Sequence, residues 1–484
     1  MGELTLKPAI ELAGMIQRRE VGAEELLNLH LDRYQQFNSQ LNAVVFCQID
    51  KARTRAQAAD TALTRGQIWG PLHGLPMTIK DSFDWVGSPS TWGIPALRDN
   101  YPKKDAIIVE RLQAAGAIIY GKTNVPLKLA DWQSFNDIYG TTNNPWDLSR
   151  SPGGSSGAAA VALATGMSSL EIGSDIGASI RNPAHYCGIF GHKPTMGIVP
   201  LQGHQQPHDH TLYDIMVGGP MARSAADLTM ALNVLAGAAA PDHMGWRLKL
   251  PPPRKSRLSD FKVGVMLQSP ACVQDNTLTE QLEVTVDALD RAGVQVDRSA
   301  WPNIDMQRCQ HIYMLLLRAT LGTSLSDEEF EAKCTEAKDR NADDRSCRAY
   351  MERGAIIHHR DWWQLHNERE AMRLRWTEFF NDHDLLLCPT AASTAFPHDH
   401  QGERADRTIE INGRQEPVTD QLFWAGLCGM VYLPSTVVPA GLTCQGLPCG
   451  LQIVAGYLED LTALEFARLM EQEIGGFTAV PGYK

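Results

Sequence analysis

The sequence predicts an α/β fold in which helices cover both faces of a β-sheet. Two observations carry this prediction: segments with apolar residues at helical spacing are followed by short buried-strand segments, and the same order recurs later in the chain. The composition, 43% hydrophobic and 21% charged, is that of an ordinary globular protein. The 484 residues are enough for a large α/β core.

The first elements follow from spacing and from helix-end signals. Residues 6–38 place apolar side chains at roughly helical intervals, and Val21-Gly22 interrupts them, which predicts two amphipathic helices. Asp105 is then expected to cap a helix that Gly116 ends. Residues 117–120 follow as a buried strand.

Strands and helices continue to alternate in the second half. Residues 262–267 read as a strand, residues 277–292 as a helix and residues 294–296 as a second strand, which favours a sheet covered on both faces. Residues 305–382 are charged and helical in pattern, so we expect a helical insertion or cover there. The prolines at 251–253 are the best candidate for a hinge or linker.

Charge and composition exclude several classes of function. The net charge of −12 is spread along the chain without a block of Lys or Arg, so no nucleic-acid partner is expected. The start lacks the pattern of a secretory signal, and no run reaches the ~18 to 20 apolar residues of a membrane span. We expect a cytoplasmic protein whose ten scattered cysteines are reduced and mostly buried.

The most informative stretch is rich in glycine and serine. It contains SPGGSSG at 151–157, an alanine-rich helix and then GSDIGASIRNP at 173–183. Glycines beside serine let the backbone approach a ligand and direct consecutive amides at one spot, which is the geometry of an oxyanion site. A phosphate loop is the alternative, but the Walker lysine and a complete GxGxxG are missing.

Four blocks in this region carry a family resemblance. Residues 74–81, 151–157, 175–181 and 191–195 resemble, in order and spacing, the blocks of the amidase-signature family. The resemblance extends through 219–224, 395–399 and 446–454 to Phe477. It implies one α/β domain over residues 1–484 with a mixed central sheet, a signature core at about 70–200 and the helical cover at about 305–382.

The resemblance also implies a Ser-Ser-Lys triad. Ser179 would be the nucleophile, Ser155 the proton relay following a cis peptide bond, and Lys80 the base. A serine hydroxyl needs a neighbouring base, and a lysine serves only if burial or positive neighbours lower its pKa from ~10.4 toward ~7 to 8. Lys80 closes a strand-like segment at 75–79, which would place its amine at a sheet end.

Structural roles remain open for the same residues. Lys80 could instead form an ion pair with Asp81 or Asp84, and Ser155 or Ser156 could cap the helix that follows. Where the triad holds, Ser156 is expected to support it through a hydrogen bond.

Next to Ser179, the backbone amides of Ile176, Gly177, Ala178 and Ser179 are expected to form the oxyanion hole. The family usually has glycine at the position of Ala178. The added methyl group is expected to restrict the backbone or to narrow the acyl site.

Two further sets of residues surround this centre. Asp175 and Arg181 flank the nucleophile and are expected to brace its loop by an ion pair. The loop before the first serine block lies where family members place substrate contacts, although Trp132 is equally typical of a core aromatic. The candidate substrate-binding residues are Leu129, Ala130, Asp131, Trp132 and Gln133.

Histidines offer a second possible chemistry. Pro-His-Asp-His occurs at 207–210 and 397–400, and with His204 these residues have spacings that suit zinc. No cysteine or HExxH motif accompanies them, so histidines of surface loops near the active-site mouth are favoured. The family needs neither metal nor cofactor, and none is predicted.

The function that these features predict is hydrolysis of a neutral carboxylic amide of small size, and also of esters or carbamates such as urethanes, through an acyl-enzyme on Ser179. The protein is expected to be a monomer or homodimer. One alternative is a glutamine-hydrolysing amidotransferase subunit, although residues 132–134 lack the acidic and methionine pattern of that subunit. The other is an inactive binding protein on the same fold, against which Lys80, Ser155 and Ser179 argue.

Overall fold

The computed structural model describes residues 2–207 and 209–484 and contains helices and strands in alternation. The helices are α1 Gly2–Thr5, α2 Ala9–Gln17, α3 Ala23–Leu41, α4 Ile49–Thr64, α5 Ile107–Ala114, α6 Gly157–Ala164, α7 Arg181–Cys187, α8 Ala225–Leu235, α9 Asn276–Arg291, α10 Met306–Gly322, α11 Asp327–Asp339, α12 Cys347–Ala355, α13 His359–Asp382, α14 Leu422–Gly429 and α15 Asp460–Ile474. The strands are β1 Val44–Cys47, β2 Pro76–Lys80, β3 Ile118–Thr123, β4 Phe135–Asn136, β5 Gly140–Thr141, β6 Glu171–Asp175, β7 Phe190–Lys193, β8 Val217–Ala222, β9 Lys262–Val265, β10 Gln295–Asp297, β11 Leu385–Pro389, β12 Thr408–Ile411, β13 Arg414–Pro417, β14 Ser435–Leu442 and β15 Pro448–Val454.

The central sheet has eight strands in the order β10-β9-β11-β15-β14-β7-β8-β6. Strands β10, β9 and β11 run parallel, and the remaining neighbours pair antiparallel, so the sheet is mixed. Strands β1, β3 and β2 form a separate three-stranded sheet, and Lys80 is the last residue of β2. The expectation of a mixed α/β fold is confirmed.

Both faces of the central sheet are covered, as strand alternation shows on β11. Leu385 and Leu387 pack with the residues of α8, α9 and α15. Leu386 and Cys388 point the opposite way and pack with α13 and α14. The two sides of one strand therefore belong to two different cores.

The N-terminal predictions hold except at one helix cap. Helices α2 and α3 are separated at Val21-Gly22, as expected. Helix α5, however, has Ala106 at its N-cap without a side-chain bond, so the prediction for Asp105 is wrong. The Asp105 carboxylate instead accepts from the Val86 amide, in the loop after β2, at 2.7 Å and from the Gln113 side chain, on α5 itself, at 3.2 Å.

The second half also follows the predicted pattern. Strand β9, helix α9 and strand β10 occur in that order, and helices α10 to α13 fill the segment expected to be a helical cover. Helix α10 packs on α14, where the ring of Tyr313 lies so close to Gly426 that a Cβ there would be 2.3 Å from it. Residues 251–253 are exposed and irregular.

All ten cysteines are free thiols, and seven are buried, as predicted. Cys47 and Cys334 are partly exposed, and Cys444 is exposed. Among the helices of the described residues, none has both the length and the apolar character that a membrane crossing needs.

Candidate active site

Lys80 lies at the end of β2 and is fully buried. Its Nζ donates to three hydroxyl groups: Ser155 Oγ at 2.7 Å, Ser156 Oγ at 2.9 Å and Ser174 Oγ at 2.9 Å. The ion pair considered for Lys80 is not made with Asp81, whose Oδ2 accepts from the amide and hydroxyl of Thr91. The amine therefore has a shell of neutral oxygen atoms.

This environment changes the protonation of the amine. Burial lowers the pKa of Lys80 to about 7, although the negative charges of Asp175 and Glu171 act in the opposite direction. A pKa in this range leaves a large neutral fraction near pH 7, which is the state required of a general base.

The serine loop before α6 brings two hydroxyls to Lys80. The peptide bond between Gly154 and Ser155 is cis. A side chain at Gly154 would not fit, because a Cβ there would lie 2.3 Å from the carbonyl oxygen of Asp131. Ser156 is at the N-cap of α6 but makes no capping bond with its side chain, so its hydroxyl is free to accept from Lys80.

The loop that carries Ser179 runs beside this serine loop. The Ser156 amide donates to the Ser179 carbonyl at 3.1 Å, and Ser179 itself is only 5% exposed. Asp175 organises the loop from the end of β6: its carboxylate accepts from the amides of Ala178 at 2.9 Å and Ile180 at 3.1 Å. These bonds curl the chain around the carboxylate.

The Asp175 carboxylate also forms the predicted ion pair with Arg181. Two hydrogen bonds, from Nε at 3.0 Å and Nη2 at 2.9 Å, join the two buried side chains. Burial acts to raise the pKa of Asp175, but the Arg181 charge and its hydrogen bonds outweigh burial and hold that pKa below its ordinary value. Both groups are thus charged at neutral pH.

The amides near Ser179 differ in what they contact. The amide of Ala178 is bonded to Asp175, so the expectation that it joins the oxyanion hole is wrong. The amides of Ile176, Gly177 and Ser179 donate to no other group in the described part of the chain. Three amides on one loop thus remain available to a ligand.

Ala178 adopts a left-handed backbone conformation, with φ of 66°. This conformation suits the glycine usual in the family better than alanine. The side chain is fully buried in an apolar cluster that includes Trp132 and Tyr186. Because the methyl group is enclosed in this cluster, we expect its main effect to be on the backbone.

The loop at 129–133 divides into two parts. Leu129 and Ala130 line a cavity of about 230 Å³ whose wall also includes Ile176, in the loop that carries Ser179. Trp132 is buried and donates through Nε1 to the Gly177 carbonyl at 2.7 Å, so it supports the loop from the core.

The other two residues of that loop also face protein. Asp131 is paired with Arg407 at 2.6 Å, and Gln133 exchanges hydrogen bonds with the backbone of Asp399. Trp132, Asp131 and Gln133 are thus positioned by protein contacts and do not line the cavity.

The described histidines of the two Pro-His-Asp-His segments and His204 do not form a common site. His204 is buried, not at the surface as expected, and its Nε2 lies 3.0 Å from Ser82 Oγ; burial and the nearby lysines lower its pKa to about 3. His398 contacts Asn143, and His210 is exposed. His208 lies outside the described residues. Among the residues that are described, no group of three His, Cys, Asp or Glu side chains is arranged to hold a metal.

Two residues at this site were missed by sequence reasoning. Ser174 supplies the third hydroxyl around Lys80, and its only signal was its place next to Asp175 in the glycine-rich block. Tyr313, from α10, donates to the Ile176 carbonyl at 3.1 Å, and nothing in the sequence near residue 313 indicated this contact.

Comparison with known proteins agrees with this geometry. The family model named Amidase matches residues 25–464, and the chain belongs to the amidase-signature family. Indoleacetamide hydrolase of Bradyrhizobium diazoefficiens is 32% identical over 96% of this chain and 86% of its own length. Acylamidase of Rhodococcus erythropolis is 31% identical over 96% of this chain and 94% of its own.

Other relatives include a solved amidase and part of an amidotransferase. The A subunit of glutamyl-tRNA(Gln) amidotransferase from Acidothermus cellulolyticus is 31% identical over 95% of this chain and 93% of its own. A bacterial aryl acylamidase of the amidase-signature family superposes with a TM-score of 0.81 at 25% identity, covering 97% of this chain and 96% of that one. Family membership supports hydrolysis of an amide carbon–nitrogen bond.

Proposed function

We propose that this protein is a serine amidase that cleaves a small carboxylic amide through an acyl-enzyme on Ser179. The observation that carries the proposal is the buried Lys80 amine, with a pKa of about 7 and three serine hydroxyls within 2.9 Å. Esters and carbamates present the same carbonyl carbon to the nucleophile and belong to the proposed substrate range.

The hydrogen-bond inventory around Lys80 supports Ser155 as the relay. A neutral amine has two N–H donors and one lone pair, whereas three hydroxyls surround it. Two hydroxyls therefore accept from the amine and one donates to it. Ser155 lies nearest, at 2.7 Å, and a Ser155 hydroxyl that donates to Lys80 can itself accept the Ser179 proton.

The proposed reaction proceeds in two halves. Ser179 Oγ attacks the carbonyl carbon while its proton passes through Ser155 to Lys80, and the amides of Ile176, Gly177 and Ser179 stabilise the oxyanion. The carbon–nitrogen bond then breaks, and the leaving amine takes the proton back from Lys80 through Ser155. Water, activated by the same relay, finally attacks the acyl carbon and releases the acid and free Ser179.

The cavity beside Ile176 favours a small substrate with an apolar body. Its volume of about 230 Å³ is below the ~300 to 1,000 Å³ usual for pockets that hold drug-sized ligands. Apolar side chains that include Leu129, Met216 and Leu321 line it. The names of two relatives, an indoleacetamide hydrolase and an acylamidase, agree with this class.

The amidotransferase alternative has one specific observation in its favour. A relative from a glutamyl-tRNA(Gln) amidotransferase matches at 31% identity over nearly the same length as the hydrolases do. If this chain had that role, the purified protein alone would turn over simple anilides poorly and would hydrolyse glutamine only with partner subunits.

A labelling experiment tests the proposal. A fluorophosphonate should modify the wild-type protein on the Ser179 peptide, identified by mass spectrometry, and Ser179→Ala should be unlabelled and inactive on amides and esters. Folded wild-type protein that resists the probe and hydrolyses no anilide, alkyl amide or carbamate would instead support a binding protein.

A leaving-group comparison tests Lys80. Because amide cleavage needs a proton for the amine and a phenolate does not, Lys80→Ala should lose amide turnover more than turnover of an activated phenyl ester. Ser155→Ala should show the same bias in milder form, since water can partly replace a hydroxyl. Equal losses of amide and ester turnover in Lys80→Ala would show that Lys80 does not supply the proton to the leaving amine.

A further inference from the structure

The cavity beside the oxyanion loop has a buried cation without a carboxylate partner in the described chain. Arg318 lines this cavity from α10 and is 8% exposed. Among the described residues, the hydrogen-bond partner of its Nη2 is the Cys347 sulfur, at 3.4 Å, and its buried Nε has none. A buried charge is costly unless a counter-charge pairs with it, so this guanidinium is in an incomplete environment.

A second guanidinium adds to the positive charge at the same wall. Arg404 donates to the carbonyl of Ala130, a cavity residue, at 2.8 Å, while its Nε and Nη2 have no hydrogen-bond partner in the described part of the chain. The carboxylate of Asp131 is 3.9 Å from the Arg404 Nε but only 2.6 Å from Arg407 Nη1. Asp131 is therefore shared by Arg404 and Arg407, and it forms no ion pair with Arg318.

The rest of the cavity does not balance this charge. Its wall also includes Lys128 and Lys333, and it includes no Asp or Glu among the described residues. Lys333 is paired with Glu336 at 2.7 Å, and Lys128 and Lys333 both interact electrostatically with Glu329. Both carboxylates lie outside the cavity wall, and neither is paired with Arg318 in the described chain. The remaining lining is largely apolar, so the cavity combines an apolar body with a cationic wall.

We propose that the preferred substrate carries a carboxylate at the far end of its acyl group, where it pairs with Arg318. This inference rests on the proposed amidase function. Ile176, in the cavity wall, belongs to the loop that carries Ser179. Because the acyl group stays bonded to Ser179 while the amine departs, we assign the acyl part to this cavity. Methylene groups of the acyl chain would contact Leu129 and Leu321, and the guanidinium would bind the carboxylate through charge-assisted hydrogen bonds.

Two matched substrates test this inference. One is the mono-para-nitroanilide of glutaric acid, and the other has an isopropyl group in place of the free carboxylate. Because a hydrogen bond to a charged group contributes about 1.5 to 3 kcal/mol, wild-type kcat/KM should favour the acid by about 10- to 100-fold. Arg318→Gln should abolish this preference through a higher KM for the acid and leave the neutral anilide within about twofold.

Control variants separate charge recognition from folding. Arg318→Lys should retain part of the preference, and Arg345→Gln, an exposed arginine of the same helical cover that lines a different cleft, should leave both substrates unchanged. Should Arg318→Gln fail to fold, the wild-type protein still tests the inference: free glutarate should inhibit competitively, and the uncharged 1,5-pentanediol should not.

Equal wild-type kcat/KM for the two anilides, or a proportional loss on both in folded Arg318→Gln, would overturn the carboxylate inference. The proposed amidase function would survive either result, provided that both anilides are hydrolysed and Ser179 is labelled. Loss of both hydrolysis and labelling in the wild-type protein would overturn the amidase proposal itself.

Discussion

Tyr313 donates a hydrogen bond from its phenol to the carbonyl oxygen of Ile176 at 3.1 Å. The carbonyl of Ile176 and the N–H of Gly177 belong to one planar trans peptide and point in opposite directions. The bond therefore directs the Gly177 amide away from Tyr313 and fixes one proposed oxyanion donor. Since Tyr313 lies on α10, the helical cover supports the loop that carries Ser179.

Replacing Tyr313 with phenylalanine should therefore affect the transition state more than substrate binding. The ring would still pack on Gly426, but the Ile176 peptide would lose its anchor, a loss of about 1 kcal/mol for a neutral hydrogen bond. We expect kcat to fall about fivefold with KM nearly unchanged. Steady-state kinetics on a para-nitroanilide would measure both.

Tyr350→Phe is the matched control for this variant. Tyr350 belongs to the same cover, but its hydroxyl contacts His311 and not the oxyanion loop. Tyr350→Phe should therefore leave kcat unchanged. A rise in KM without a fall in kcat for Tyr313→Phe would show that Tyr313 acts on the substrate site and not on the oxyanion amides.

The pH dependence of amide turnover should report Lys80. Its pKa is lowered to about 7 by burial, and only the neutral amine accepts a proton, so kcat/KM should rise with pH with a midpoint near 7 and level off at higher pH. Lys80→Ala should lack this rising limb of the pH profile. Ser174→Ala should keep it with a lower midpoint, because the protonated amine loses an acceptor.

The two variants together decide the assignment. An unchanged limb in Lys80→Ala would mean that another group titrates. An upward shift in Ser174→Ala would contradict the hydrogen bond from Lys80 as a stabiliser of the charged form.

The Asp175–Arg181 pair should be essential for stability. Asp175→Asn leaves a buried guanidinium without its counter-charge, which typically costs about 3 to 5 kcal/mol of the free energy of unfolding. Urea unfolding would measure it. Asp147→Asn, which breaks a partly exposed pair with Arg150, is the control and should cost less than about 1 kcal/mol.

The same pair predicts a pH dependence of stability. The pKa of Asp175 is depressed in the folded protein, so its contribution is complete above the ordinary carboxyl pKa of ~3.9 and is lost as the pH falls through the folded value. The stability difference between wild type and Asp175→Asn should therefore shrink in acid. A difference that grew on acidification would exclude this ion pair as its source.

Local signals explain what the sequence could predict. Lys80 at the end of a strand, the two serine loops and the Asp175–Arg181 pair all lie within short blocks whose spacing limits their geometry. The mixed sheet followed from the resemblance, and the alternation of strands with helices predicted its covered faces.

Most of the failures came from contacts between distant segments, and one came from a local turn. Tyr313 and Arg318 reach the site because α10 packs over it, and no pattern near them specifies that packing. His204 was expected at the surface but is enclosed by the rings of Phe83 and Trp92, with ring centroids 4.4 and 4.9 Å away. The direction of the Ala178 amide depended on the curl of the loop around Asp175, which residue type alone does not determine.

Exhaustive chelation should leave the amidase rate unchanged. The base in the proposed mechanism is Lys80, and His204 and His398 are each bonded to polar side chains elsewhere. Dialysis against a chelator, followed by the para-nitroanilide assay, would check it. A lost rate that zinc restores would show that the histidine loops had been misinterpreted.

Ala178→Gly distinguishes a backbone role for this residue from a role in substrate selection. With φ of 66°, alanine carries a left-handed strain of about 1 to 2 kcal/mol that glycine relieves. Against this gain stand the lost burial of one methyl group, about 0.8 kcal/mol, and the extra chain entropy of glycine, about 0.5 to 1 kcal/mol. The free energy of unfolding should therefore change by less than about 1 kcal/mol.

The substrate ranking of Ala178→Gly should also be that of the wild type, because the methyl group is buried in the core cluster with Trp132 and does not line the cavity. Urea unfolding and kcat/KM on three para-nitroanilides of increasing acyl length would measure the two effects separately. Leu129→Ala, which enlarges the cavity wall itself, is the positive control and should favour the longest acyl group. If Ala178→Gly reordered the three substrates in the same direction as Leu129→Ala, the methyl group would act on the acyl site after all.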